Sequence, residues 1–131
     1  MNNQSLQDKL IDKLYNFWKH NDTTRDNFLL KNITTIVKKD GIDGANILLD
    51  WCRDDYDKIR EKYMKLHKIN EDEMEKIMDS HSGTYEFMYE KLPEVSWLDE
   101  IWDLCNYYLD YCNSKTRTEK GEYADLMSYY L

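Results

Sequence analysis

The sequence predicts an all-α fold, a helical bundle of five to seven helices formed by residues 1–131 as a single domain. Three observations lead there. Apolar residues recur at helical spacing along most of the chain. Four Gly and one Pro leave little punctuation for an all-β meander. Ser, Thr, Asn and Asp stand ahead of the periodic segments, where helix N-caps belong. At 131 residues and 41% hydrophobic content, the chain has enough material to bury a core.

Ser5 is the expected N-cap of a first helix running to His20, with Leu6, Leu10, Leu14, Phe17 and Trp18 on one face. A second helix is expected from about 24 to 38, carrying Phe28, Leu29, Ile33, Ile36 and Val37, with Gly41 as its C′ residue. The third and longest should run from Asp43 to His67, burying Leu48, Cys52, Ile59, Tyr63 and Leu66. Asn70 and Glu73 have the spacing of a capping box for a short helix that Gly83 ends. A turn over 84–92 stops before Pro93. Ser96, with Asp99 three residues on, should start a helix to Cys112. Its apolar arc holds Trp97, Leu98, Ile101, Trp102, Leu104, Cys105, Tyr108 and Cys112. A last helix lies within 118–131, with Gly121 weakening its start. "DGANILLDWC" (43–52) and "DLCNYYLDYC" (103–112) share five residues at a 60-residue offset, as a duplication or two similar amphipathic helices would.

Charge is unevenly placed. Residues 71–110 carry 12 acidic and 2 basic side chains, whereas the rest carries 14 and 16. Such a segment repels nucleic acid and anionic membranes and attracts basic surfaces. Along the third helix Asp50, Asp54, Asp57 and Glu61 also share a face, but Arg53, Lys58, Arg60 and Lys65 neutralise it locally. Between 71 and 110 only Lys76 and Lys91 offset the carboxylates. The same stretch carries Tyr85, Phe87, Tyr89, Trp97 and Trp102, and Tyr and Trp are preferred interface anchors. The candidate partner-binding residues are therefore Glu86, Glu90, Glu94, Asp99, Glu100, Asp103 and Asp110, with Tyr85, Tyr89 and Trp102.

Catalytic constellations are poor. His20, His67 and His81 show no metal-ligand spacing, and Cys52, Cys105 and Cys112 fall on or near apolar faces as structural thiols. The expectation is a protein without catalytic residues, metal or cofactor. An odd number of Cys, no apolar leader and no apolar run near the ~20 residues of a bilayer span point to a cytoplasmic protein of a bacterial host or infected cell.

Two resemblances bear on function. Asp72-x-x-Glu75 and Glu100-x-x-Asp103 resemble the paired acidic sites of all-α nucleotide pyrophosphatases, which implies Mg²⁺ held between two helices. "HSGTYEFMYEKLP" (81–93) is similar to the His-x-Ser-Gly and Tyr-Tyr-Pro region of small acidic immunity proteins that block nuclease toxins. It lacks the Tyr pair directly before Pro93, so no residue role is carried over. The leading expectation is a non-enzymatic acidic inhibitor of anti-defence or immunity type, as a phage or mobile element would carry. It would occupy the basic, nucleic-acid-binding surface of a partner protein, without contacting nucleic acid or membrane itself. The alternatives are a helical subunit or adaptor of a larger complex, a homodimer among them, and the Mg-dependent pyrophosphatase.

Overall fold

The computed structural model describes residues 4–21 and 25–131, and within them the chain is a bundle of seven α-helices with one 3-10 turn. Helix α1 (Leu6–His20) begins where Ser5 Oγ accepts the Asp8 amide, and it buries Leu10, Leu14, Phe17 and Trp18. Lys19 and His20 close it with positive charge at the negative end of its dipole.

The single helix expected over 24–38 is two, α2 (Asn27–Lys31) and α3 (Ile33–Lys39); residue 24 lies outside the described residues. The break falls at Asn32, whose side-chain amide donates to the Phe28 carbonyl at 2.7 Å. A side chain on the i−4 carbonyl competes with the helical ladder. The kink turns Leu30 and Ile33 inward and leaves Phe28 70% exposed, against the apolar role its spacing suggested.

Gly41, at φ +54°, makes the corner into α4 (Gly41–His67), the longest helix at 27 residues. Its first half buries Ala45, Leu48, Leu49, Trp51 and Cys52. Past Tyr63 the helix leaves the main core, so Leu66, expected inside, is 55% exposed while Tyr63 and Met64 join a smaller cluster. Lys68 in left-handed conformation ends α4, and the Asn70–Glu73 capping box opens α5 (Glu71–Ser80) as expected. Glu71, Asp72 and Glu73 occupy its first turn, where the positive end of the helix favours them. Part of the acidic segment is thus locally satisfied.

After the 3-10 turn (Glu86–Met88), α6 (Glu94–Asn113) starts directly behind Pro93 rather than at Ser96. Proline's fixed φ suits a helix entry and its missing N–H is no loss there. Ser96 instead donates its hydroxyl to the Pro93 carbonyl. Val95 and Leu98 lie in the core, whereas Trp97, at the edge of the apolar arc, faces outward and is 47% exposed; the packing role expected of Trp97 is wrong. Thr116 caps α7 (Arg117–Ser128), which seats Met127 in the core, and Gly121 sits inside this helix.

Helices α1, α2, α3, α6, α7 and the first half of α4 share one core. The buried Tyr108 hydroxyl of α6 donates to the Val37 carbonyl of α3, joining two helices across it. A second core of Met74, Met88, Leu92 and Val95 packs beneath Ile59, Tyr63 and Met64 of α4. The two helices of the internal echo, α4 and α6, pack together, but Cys52 is buried and its counterpart Cys112 only half-buried. Among the described residues no helix is long and apolar enough to cross a membrane.

Candidate functional site

Six of the ten predicted partner-binding residues converge. Tyr85, Glu86, Tyr89, Asp99, Trp102 and Asp103, joined by Tyr56, Gly83 and Thr84, line an open pocket of about 510 Å³. The pocket sits where the two cores meet: α4 supplies Tyr56, α6 supplies Asp99, Trp102 and Asp103, and the 83–89 turn supplies the rest. Gly83 at φ +73° lets the chain reverse there.

Asp99 anchors the geometry. The expected uncompensated surface carboxylate is instead half-buried, with the Tyr56 hydroxyl donating to Oδ1 and the Tyr89 hydroxyl to Oδ2. Burial, and then the bond to Asp99, push both phenols well above their ordinary pKa, so both stay protonated donors. The Tyr56 and Tyr85 rings stack at 4.7 Å, and Trp102 meets Tyr56 edge-on at 6.0 Å. Burial also raises the Tyr85 phenol, with Arg60 pulling the other way.

Asp103, one turn beyond Asp99, accepts a hydrogen bond from Tyr130 at 3.3 Å. Its pKa is raised, first by burial and then by the Asp99 charge, with the Tyr130 bond opposing. A carboxyl raised in the folded state takes up its proton more readily than in the unfolded chain. Its charge therefore costs stability at neutral pH, and that cost vanishes as pH falls through the folded pKa. Asp103→Asn should accordingly melt slightly above the parent at pH 7, by the few tenths of a kcal/mol of a like-charge pair one turn apart. The gap should close toward pH ~4, near the unfolded Asp value. Thermal melts across that range check this, and a variant less stable than the parent at pH 7 would refute it.

The other four predicted residues lie outside the pocket. Glu94 pairs with Lys62 at 3.0 Å, and Glu100 lies 4.0 Å from Lys13, facing a separate groove of about 500 Å³ beside Trp97. Glu90 and Asp110 are exposed. On α4, Arg53 pairs with Asp50 at 2.6 Å as the expected neutralisation requires, while Arg60 reaches Glu71 instead.

Sequence reasoning passed over Tyr56 and, more consequentially, Asp55. Asp55 is 3% exposed and paired with Arg25 at 3.0 Å. Its second oxygen accepts the Trp18 indole N–H at 2.8 Å. The Arg25 guanidinium also donates to the Trp51 carbonyl at 2.8 Å and lies 4.7 Å from the Trp51 ring centre and 5.6 Å from that of Trp18. Burial raises the Asp55 pKa, with Arg25 and the Trp18 bond opposing. The signal was present: Asp55 falls on the stripe of Leu48, Cys52 and Ile59, where a carboxylate needs a partner.

Among the described residues no three His, Cys, Asp or Glu side chains are placed to hold one metal ion, so Asp72–Glu75 and Glu100–Asp103 do not form a joint site. Cys52 and Cys105 are buried. Contact with Cys52 and burial hold the Cys105 thiol far above its ordinary pKa, and burial raises Cys112. These are poor nucleophiles. What the pocket can do chemically is recognise a cation, through ring faces and carboxylates set side by side. Compared with protein-family models, curated proteins and solved structures, the chain matches none.

Proposed function

We propose that this chain is a non-enzymatic binding protein whose acidic face, centred on the pocket between α4, α6 and the 83–89 turn, occupies a basic surface of a partner protein. One observation carries the reading: three carboxylates and four aromatic rings line the pocket, and among the described residues no Lys or Arg is part of that lining, although Arg53 lies over Trp102 from outside it. That pocket lies in the segment of 12 acidic and 2 basic side chains. A surface that attracts such a segment would otherwise attract nucleic acid, so a nucleic-acid-handling partner fits, with the chain acting as its inhibitor. A phage- or mobile-element-encoded inhibitor, or an immunity protein, would work this way.

The test is affinity capture followed by kinetics on the captured protein. Binding should be displaced by duplex DNA and weaken as salt rises, because screening limits exposed charge to a reach of about 8 Å at physiological ionic strength. Asp99 is unsuitable for charge reversal, since Tyr56 and Tyr89 depend on it. Exposed Glu90, Asp103 and Asp110 serve instead. Their combined reversal to Lys should slow association about tenfold or more, while dissociation changes less. The matching reversal of Asp50, Asp54 and Asp57 should do less. Equal effects from the two triples, or binding indifferent to DNA and salt, would overturn the reading.

A further inference from the structure

The geometry points to a more specific ligand: the pocket lined by Tyr56, Tyr85, Tyr89, Trp102, Asp99 and Asp103 receives the guanidinium of an arginine side chain on the partner protein. The docking reading supplies the bearer of that arginine; the pocket chemistry stands apart from it.

The molecule itself contains the filled counterpart. At the buried Arg25 site a guanidinium lies over two indole rings and is held by a carboxylate that also accepts a hydrogen bond from an aromatic side chain. The pocket repeats this arrangement of parts. Trp102 and Tyr56 provide the rings, and Asp99 provides a carboxylate fixed by aromatic hydroxyls. Asp103 provides a second carboxylate one turn on. A carboxylate has about four lone-pair positions, so Asp99 retains acceptor capacity beyond its two phenols. Tyr130 takes one oxygen of Asp103 and leaves the other.

Trp102 also shows directly that it accepts a guanidinium. The Arg53 group lies 5.4 Å from its ring centre, tethered by Asp50 and outside the pocket lining. Arginine suits such a site better than lysine, because its planar fork stacks on rings while presenting paired N–H groups to carboxylates. A bound cation would also offset the Asp99–Asp103 repulsion. A metal ion suits the site less, since no three of its acidic groups are placed to close on one point among the described residues.

The experiment uses the full chain and blocked tripeptides, acetyl-Gly-Arg-Gly-amide and its Lys and citrulline versions. Binding is read from the Trp102 indole N–H resonance, assigned through Trp102→Phe. The arginine peptide should shift it saturably, the lysine peptide should bind several-fold more weakly, and the citrulline peptide should not bind. Asp103→Asn should weaken arginine binding roughly tenfold, the loss of one charge-assisted hydrogen bond. Asp125→Asn removes the same charge from the exposed face of α7, outside the pocket and the acidic segment, and should leave binding unchanged. Equal binding of the lysine peptide would overturn the proposal, as would equal losses from the two Asn variants. Free arginine binding tenfold tighter than the peptide would overturn it too, by marking a small-molecule pocket. If tripeptides fail while protein capture remains DNA- and salt-sensitive, the pocket proposal falls and the docking reading stands. If Asp103→Asn loses the peptide but capture is indifferent to salt, the docking reading falls.

Discussion

Asp55→Ala is expected to lower the unfolding free energy by about 3–5 kcal/mol, the usual loss when one partner of a buried ion pair is removed. The substitution leaves the Arg25 guanidinium, 5% exposed, without its carboxylate, and strips the Trp18 indole N–H of its acceptor. Urea unfolding measures the loss, and a change below about 1 kcal/mol, the scale of an exposed pair, would contradict the buried-pair account. The paired replacement Arg25→Met with Asp55→Leu should recover the part due to the unpaired guanidinium, but not the part due to the Trp18 acceptor. Burial is the largest influence on the raised Asp55 pKa, with Arg25 and the Trp18 bond opposing it. Apolar side chains of similar volume often replace such pairs without loss.

A second large effect is expected at Gly44, where α4 crosses α3. A Cβ there would lie 2.1 Å from the Ile36 carbonyl oxygen, a backbone atom that cannot rotate away. In an open helix, Gly→Ala gains up to about 1 kcal/mol from propensity. At Gly44 the sign should reverse, with about 3 kcal/mol lost as the two helices are forced apart. Gly121 provides the control, since its added Cβ meets nothing within 4 Å. Gly121→Ala should therefore stabilise. If both substitutions raised the melting temperature, the close crossing of α3 and α4 would be disproved.

The features legible in the sequence are those written locally. Ser5 and the Asn70–Glu73 box act within one helical turn, and both helix starts were read correctly. Leu10, Leu14, Leu48 and Cys52 follow a period that backbone geometry imposes, and they are buried. Local signals can also compete. Ser96–Asp99 has cap spacing, yet Pro93 starts the helix and frees Asp99 for other partners. Those partners carry no periodic trace: Tyr56 lies 43 residues from Asp99, and Trp18 lies 37 from Asp55. The acidic composition located six pocket residues because the pocket draws on one segment. Tyr56 escaped because it comes from another, and the pairing of Glu94 with Lys62 and of Glu100 with Lys13 was not legible because those cations come from distant helices.

The division into two cores has a consequence for how the molecule opens. The smaller cluster of Met74, Met88, Leu92 and Val95 holds residues 69–92 against the far end of α4 and the first turn of α6, and it meets the larger network at Ile59. Cooperative units of this kind open separately, at free energies below that of global unfolding. The excursion can detach while the larger unit stays folded, and the pocket then ceases to exist, because Tyr85, Glu86 and Tyr89 leave with it. Of the two phenol bonds to Asp99, the Tyr56 bond lies within the persistent unit, and the Tyr89 bond crosses the seam from the detachable one. A cation seated across the seam would act as a latch. Its binding free energy would add directly to the work of local opening, slowing amide exchange and proteolytic cleavage along 69–92 while leaving the slowest-exchanging amides of the main core untouched.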